Sequence, residues 1–232
     1  MLTRTVASGH GETTLRWIRW ADADYLGARI LLLQGLLIQG AALANTALEK
    51  YLKAVCFYSG MKIPHGHAVD VLYGKVTGHA PTNLALNESY LRLLRKAYKL
   101  RYPEELNDGY SIALNQAKLL SQLDRSVLEI TKRFEAELTD GKTIPMVLEE
   151  ARMRKHEAFL AKNVALDPAQ SALLFSNPSH SIDIRNHKGN LYQVVYQSLY
   201  IKDDLVFEVE GFVPQNDLQF TVAFPPIVPG TG

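Results

Sequence analysis

The run ILLLQGLLIQGAALA, residues 30–44, is the most apolar stretch of the chain. It is shorter than the roughly 20 apolar residues that a membrane-spanning helix needs, and Gln34, Gly35, Gln39 and Gly40 interrupt it. It therefore reads as two helices meeting at a turn, which makes a helical hairpin the first unit of the fold. No membrane partner is expected.

The flanking pattern extends this reading. A first helix is expected over residues 14–37, with Thr13 or Thr14 as its N-cap. A second spans 39–58, where Ala41, Ala44, Leu48, Leu52 and Val55 recur at three- and four-residue steps and Gly60 ends the run. Pro64 separates it from a short helix over 67–77, which Gly78 and Pro81 close. A fourth helix covers 87–100, with Asn87 as cap and Pro103 as its stop. A long helix is predicted over 110–138, ending at Asp140-Gly141, and one more over the segment TIPMVLEEARMRKHEAFLAKN.

Helical periodicity then fades. LYQVVYQSLYI, DLVFEVEGFV and LQFTVAF are rich in β-branched and aromatic residues and read as strands, with KDD as a turn between the first two and PPIVPGTG as a tail. The expected architecture is α+β: mainly α, an up-and-down bundle of four to five helices over residues 1–140. A linker helix and a small antiparallel β-rich extension follow over 141–232.

Composition narrows the class. With 47% hydrophobic and 21% charged residues the chain can bury a core. Its net charge of +1 leaves no global attraction for polyanions, so any nucleic-acid role needs a local patch. Charge is uneven: four basic against seven acidic residues follow position 157, leaving that part at −3 and the helical part at +4. The single cysteine, Cys56, excludes an internal disulfide and reads as a buried thiol on a helix face. The N-terminus has no apolar leader, and a cytoplasmic protein is expected.

YLRLLRKAYKLRYP, residues 90–103, concentrates basic residues. At about 100° per residue, Arg92, Arg95, Lys96 and Lys99 share one stripe while Leu91, Leu94, Ala97 and Tyr98 share the other. The stripe reads either as a solvated helix face or as a phosphate-facing one. Arg101 would point at the apolar face unless the chain turns at Tyr102-Pro103, where Glu104 or Asp24 are candidate partners.

Four pieces, WADADYLGARILL, ALEKYLKA, PHGHAVDVL and YKLRYP, occur in an order and at distances that resemble the HEPN family. The resemblance covers residues 17–134; Thr46 stands where the family often has Gln. It implies a bundle of four or five helices, commonly dimeric. It also implies either a metal-independent ribonuclease or a non-catalytic module that binds nucleotides or nucleic acid, often beside a nucleotidyltransferase-like partner protein. The family's nucleases carry R-x(4–6)-H on a late helix. Here the predicted long helix holds Arg125 and Arg133 and no histidine. Arg4 and His10 have the spacing but precede the bundle, and Arg152 and His156 stand with only three residues between them outside the matched region. A standard catalytic site is therefore not expected.

The reading that follows is a non-catalytic binding module with a basic groove between the second and fourth helices. Its ligand residues are Lys50, Lys53, Arg95, Lys99, Arg101, Tyr102 and His67, and its partners are a second copy of the chain, a nucleotide or RNA, and a nucleotidyltransferase-like protein. The alternatives are a ribonuclease toxin using Arg152 and His156 or Arg4 and His10, or a helical scaffold for another chain. No cofactor motif is present: GKTIP lacks the upstream glycine of a phosphate loop. His65-x-His67 lacks a third ligand, with His67 read as bonding locally at the start of a helix, and His180 and His187 are read as solvated loop residues.

Overall fold

The computed structural model describes residues 8–62, 65–79, 83–134, 136–137, 143–167 and 169–198. The strands expected in DLVFEVEGFV and LQFTVAF, the KDD turn, the terminal tail and Arg4 lie outside these residues. Helices α1 (Ser8–Leu33) and α2 (Leu37–Tyr58) form the hairpin. The break falls at 34–36, earlier than the sequence suggested, because Gly35 takes the left-handed conformation with φ 78°. Its Cα also faces the ring of His180, which a Cβ would approach to 3.2 Å. Gly40 is helical and serves packing instead: a Cβ there would lie 2.7 Å from Leu32 Cγ. Thr14, expected as an N-cap, is buried inside α1, which starts at Ser8.

Helices α3 (Val69–His79) and α4 (Glu88–Tyr98) complete the first half of the bundle. The Asn87 side chain caps α4 by accepting from the Tyr90 N–H at 3.1 Å. A single 3₁₀ turn, Lys99–Arg101, carries the chain to Pro103. The long helix predicted over 110–138 is instead a strand, β1 (Ser111–Asn115), followed by α5 (Gln116–Thr131). The alternation of buried Ile112 and Leu114 marks the strand. Asn115 ends it and begins the helix: its Oδ1 accepts from Lys118 N–H at 3.0 Å, and its Nδ2 donates to Ser179 Oγ and Ser181 Oγ at 2.8 and 2.9 Å.

A two-residue ladder, β2 (Ala136–Glu137) with β3 (Thr143–Ile144), precedes α6 (Val147–Arg154) and the single turn α7 (Glu157–Leu160). The one helix expected here is broken at Lys155, whose φ is 51°. Helix α8 (Ala169–Ser176) leads into β4 (Ser179–His187) and β5 (Asn190–Ser198). Sheet order is β1-β4-β5, all antiparallel. His180 and His187, read as loop residues, are therefore on the central strand. Lys188 and Gly189, both at positive φ, make the two-residue hairpin turn. The described residues thus form a mainly helical bundle with a small, open antiparallel sheet. No described helix is long and apolar enough to cross a membrane.

One continuous core runs from Ile18 to Ile184, and Cys56 lies within it, where burial raises its thiol pKa. At its centre sits Arg29 of α1, fully buried and paired with Asp124 of α5, also fully buried. Tyr25 donates to Asp124 at 2.8 Å, and Arg29 donates to the carbonyls of Ala158, at 3.0 Å, and Ala161. Asn163 completes the set, donating to Tyr25 Oη at 3.1 Å. Burial pushes the Asp124 carboxyl up, against the pull of Arg29 and Tyr25.

Two stability outcomes follow. Arg29→Met strands a buried carboxylate and is expected to lower unfolding free energy by about 3–5 kcal/mol, whereas Arg29→Met with Asp124→Leu recovers most of that loss in urea melts. Gly40→Val forces Leu32 from its position and is expected to cost about 1–3 kcal/mol by the same measurement.

Candidate functional site

The segment ALEKYLKA of α2 holds the anchor of the site. Glu49 is buried, with 4% of its surface exposed, so its carboxylate requires compensation inside the fold. Lys53, one turn on, supplies it at 2.5 Å from Oε1, and His67 Nδ1 stands 3.0 Å from Oε2. The His67 backbone carbonyl accepts from Asn45 Nδ2 at 3.2 Å, fixing the loop before α3 against α2. His67 thus bonds across the bundle and not locally, as its place near a helix start had suggested.

From His67 the site extends outward as a ladder. Its ring stacks on Tyr98 of α4, centroids 5.6 Å apart and planes 28° apart. Tyr98 in turn carries Arg101: the guanidinium carbon lies 4.9 Å from the Tyr98 centroid and 5.6 Å from that of Tyr102. Arg101 also donates to Tyr98 Oη at 2.6 Å. The proline explains this arrangement. Pro103 keeps Tyr102 out of helical geometry (φ −131°, ψ 71°), so the chain turns and brings Arg101 back over the end of α4. Arg101 does not reach Asp24, whose carboxylate is taken by Lys50 at 2.7 Å, nor does it need Glu104.

The remaining cations of the stripe divide. Arg92 pairs with Glu88 at 3.2 Å and Arg95 with Asp70 of α3 at 3.1 Å. Lys96 lies 5.1 Å from the Tyr110 ring centroid, its ammonium pKa lowered by burial and by Lys99. Lys99 is exposed and has no carboxylate partner among the described residues. Of the seven expected ligand residues, the structure links Lys53, His67, Arg101 and Tyr102 through Glu49 and Tyr98. Lys50 and Arg95 are engaged with carboxylates of α1 and α3. Tyr98 was legible only as an apolar-face residue, and the buried role of Glu49 was legible only as half of a helical ion pair.

A second concave feature lies between α1 and the α6–α7 segment. It is a pocket of about 270 Å³ lined by Arg19, Asp22, Glu150, Arg154, His156 and Phe159, among others. Arg19 and Arg154 both pair with Glu150, at 2.9 and 2.7 Å. Asp22 Oδ1 accepts from Tyr51 Oη at 2.6 Å. Desolvation raises the Asp22 carboxyl to about 6, with Tyr51 and Arg19 opposing the shift. His156 reaches this pocket, but Arg152, its companion in the ribonuclease reading, donates to the Leu166 carbonyl at 2.5 Å.

The family model of the HEPN domain matches residues 14–134, just over half of the chain. The chain belongs to the HEPN family. The match covers α1 through α5, and so takes in the Glu49–His67–Tyr98–Arg101 ladder and the Arg29–Asp124 pair. No curated protein and no solved structure matches the chain.

Asp22 gives a pH signature. Its folded pKa, near 6, exceeds the unfolded value near 3.8, so the folded state holds this proton more tightly. The stability that protonation contributes is complete below about pH 4 and lost as pH rises through about 6. Asp22→Asn keeps an acceptor for Tyr51 and removes the buried charge. It is expected to be more stable than the parent at pH 7 by roughly 1–3 kcal/mol, with the difference vanishing near pH 4 in urea melts across that range.

Proposed function

We propose that this HEPN protein is a binding module for nucleotides or single-stranded RNA that does no chemistry of its own, using the exposed end of α4. The observation that carries this reading is Arg101, held between the rings of Tyr98 and Tyr102 with no carboxylate partner among the described residues. A surface arginine fixed by two aromatic faces keeps its other N–H donors directed outward in a rigid fork, which suits phosphate oxygens. Tyr102 is 44% exposed and offers a ring face on which a base stacks. Lys99 adds an unneutralised charge beside them. His67 and Lys53 hold the ladder from below through Glu49, while Lys50 and Arg95 serve the bundle.

The arrangement of Arg152 with the Leu166 carbonyl gives the ribonuclease reading no support. A homodimer and a nucleotidyltransferase-like partner protein remain part of the proposal on family grounds; the ladder itself is complete within one chain.

The test is fluorescence anisotropy with a labelled single-stranded oligoribonucleotide, alongside titration with ATP and GTP. Arg101→Ala and Tyr102→Ala are each expected to weaken binding by about 5- to 100-fold, the range of one lost stacking or charge-assisted contact. Lys99→Ala should reduce the salt slope by about 0.7. Lys50→Ala should leave affinity within about twofold, since its partner is Asp24. An Arg101→Ala, Tyr102→Ala double variant that binds as the parent does, or a parent that binds neither RNA nor nucleotide at low salt, removes the reading.

A further inference from the structure

The pocket between α1 and α6–α7 lies apart from the ladder. One of its walls, from Val147 to Phe159, falls outside the family match, so the pocket belongs to this chain's own later segment. Lys155, at φ 51°, ends α6 and turns the chain. Arg154 of the last turn, His156 and Phe159 of α7 therefore all border one cavity.

Charge in this cavity is unequally accessible. Arg154 keeps 74% of its side-chain surface and Arg19 keeps 42%, against 26% for Glu150 and 11% for Asp22. The acids are the deeper members. Asp22 accepts from Tyr51 on Oδ1, and its Oδ2 is buried with Arg19 3.8 Å away. Glu150 gives one oxygen to each arginine, at 2.9 Å to Arg19 and 2.7 Å to Arg154. A single carboxylate thus serves two guanidinium forks, each with five N–H donors. What a ligand meets at the cavity surface is mostly guanidinium, with donors left over. The group that fits a half-used fork is a second carboxylate.

The rest of the lining sets the body of the ligand. Leu26, Val147, Ala151 and Phe159 supply apolar surface, with an aromatic ring on one side. A volume of about 270 Å³ lies just under the usual range for small-molecule sites. We propose that this pocket binds a small carboxylic acid, as its carboxylate, with an aromatic or branched apolar body. The carboxylate accepts from Arg154 and Arg19 beside Glu150, and the body packs against Leu26, Val147 and Phe159. Asp22 opposes the anion only weakly. Facing Tyr51 of α2, Arg19 of its own helix and Glu150 of α6, it has its pKa raised by burial to about 6, so it takes up a proton more readily than an ordinary carboxylate.

Calorimetric titration of the full chain with hydrocinnamate at pH 7.5 tests the site, with hydrocinnamyl alcohol and hydrocinnamylamine as neutral and cationic probes of the same body. Saturable binding of the acid is expected, with the alcohol and the amine each at least about tenfold weaker. Arg154→Met, at an exposed position, should weaken the acid at least about tenfold and leave the alcohol within about twofold, at an unchanged melting temperature. Glu150→Gln and Asp22→Asn each remove a competing charge and should tighten the acid by about threefold or more. The proposal is overturned if the alcohol or the amine binds as well as the acid, or if Arg154→Met binds the acid as the parent does. It is likewise overturned if Glu150→Gln and Asp22→Asn fail to tighten the acid, or if the acid does not saturate below about 10 mM.

Discussion

The Arg29 guanidinium and the Asp124 carboxylate have no exposed surface, and they hold together three parts of the chain that are distant in sequence. Arg29 belongs to α1 and Asp124 to α5. The carbonyls that Arg29 also serves, of Ala158 and Ala161, belong to the segment after α6. An arginine carries five N–H donors and loses the hydration of all of them when it is buried. Here a carboxylate and two carbonyls replace that hydration; Tyr25 also donates to Asp124, and Asn163 donates in turn to Tyr25. Such a pair adds little net free energy over apolar packing, but it penalises any arrangement in which one member is missing. It therefore fixes the position of the α7 segment on α1, and with it the walls of the pocket that Asp22 lines.

Glu49 solves the same problem nearer the surface and with a different result. It is almost as buried as Asp124, but its partners, Lys53 and His67, are themselves partly exposed. Its charge is transmitted outward: it orients His67, His67 supports Tyr98, and Tyr98 supports Arg101. The surface ladder is thereby mounted on helices α2 and α4, which hold His67 of the loop before α3 between them. Rigid mounting lowers the entropy lost when a ligand binds, so a few exposed groups suffice.

Much of this was legible in the sequence, and the failures have physical causes. The hairpin of α1 and α2 and the capped end of α4 are set by contacts a few residues apart, and Gln34-Gly35, Asn87 and Pro103 signal them directly. Strand β1 was missed because SIALNQAKLL fits a helix locally; its partner β4 lies some 70 residues on, and only that pairing decides the conformation. The hairpin of β4 and β5 did leave a signal, Lys188-Gly189 between alternating apolar residues, but the polar content of NPSHSIDIRNHKGN masked it. At the ladder, spacing exposed Glu49 with Lys53 and the final Arg101-Tyr102-Pro103. It could not show that Asp24 would choose Lys50, or that Asp70 would choose Arg95, since these choices depend on how helices face one another.

Three buried acids thus occupy three states of compensation. Asp124 takes Arg29 and Tyr25 on one oxygen and acts in the fold. Glu49 is paired with Lys53 and bonded to His67, and passes its order to the surface. Asp22 has a hydroxyl on one oxygen and nothing within hydrogen-bond distance on the other among the described residues. Arg19 stands 3.8 Å from that oxygen as an ion-pair partner, and burial still raises the Asp22 carboxyl to about 6.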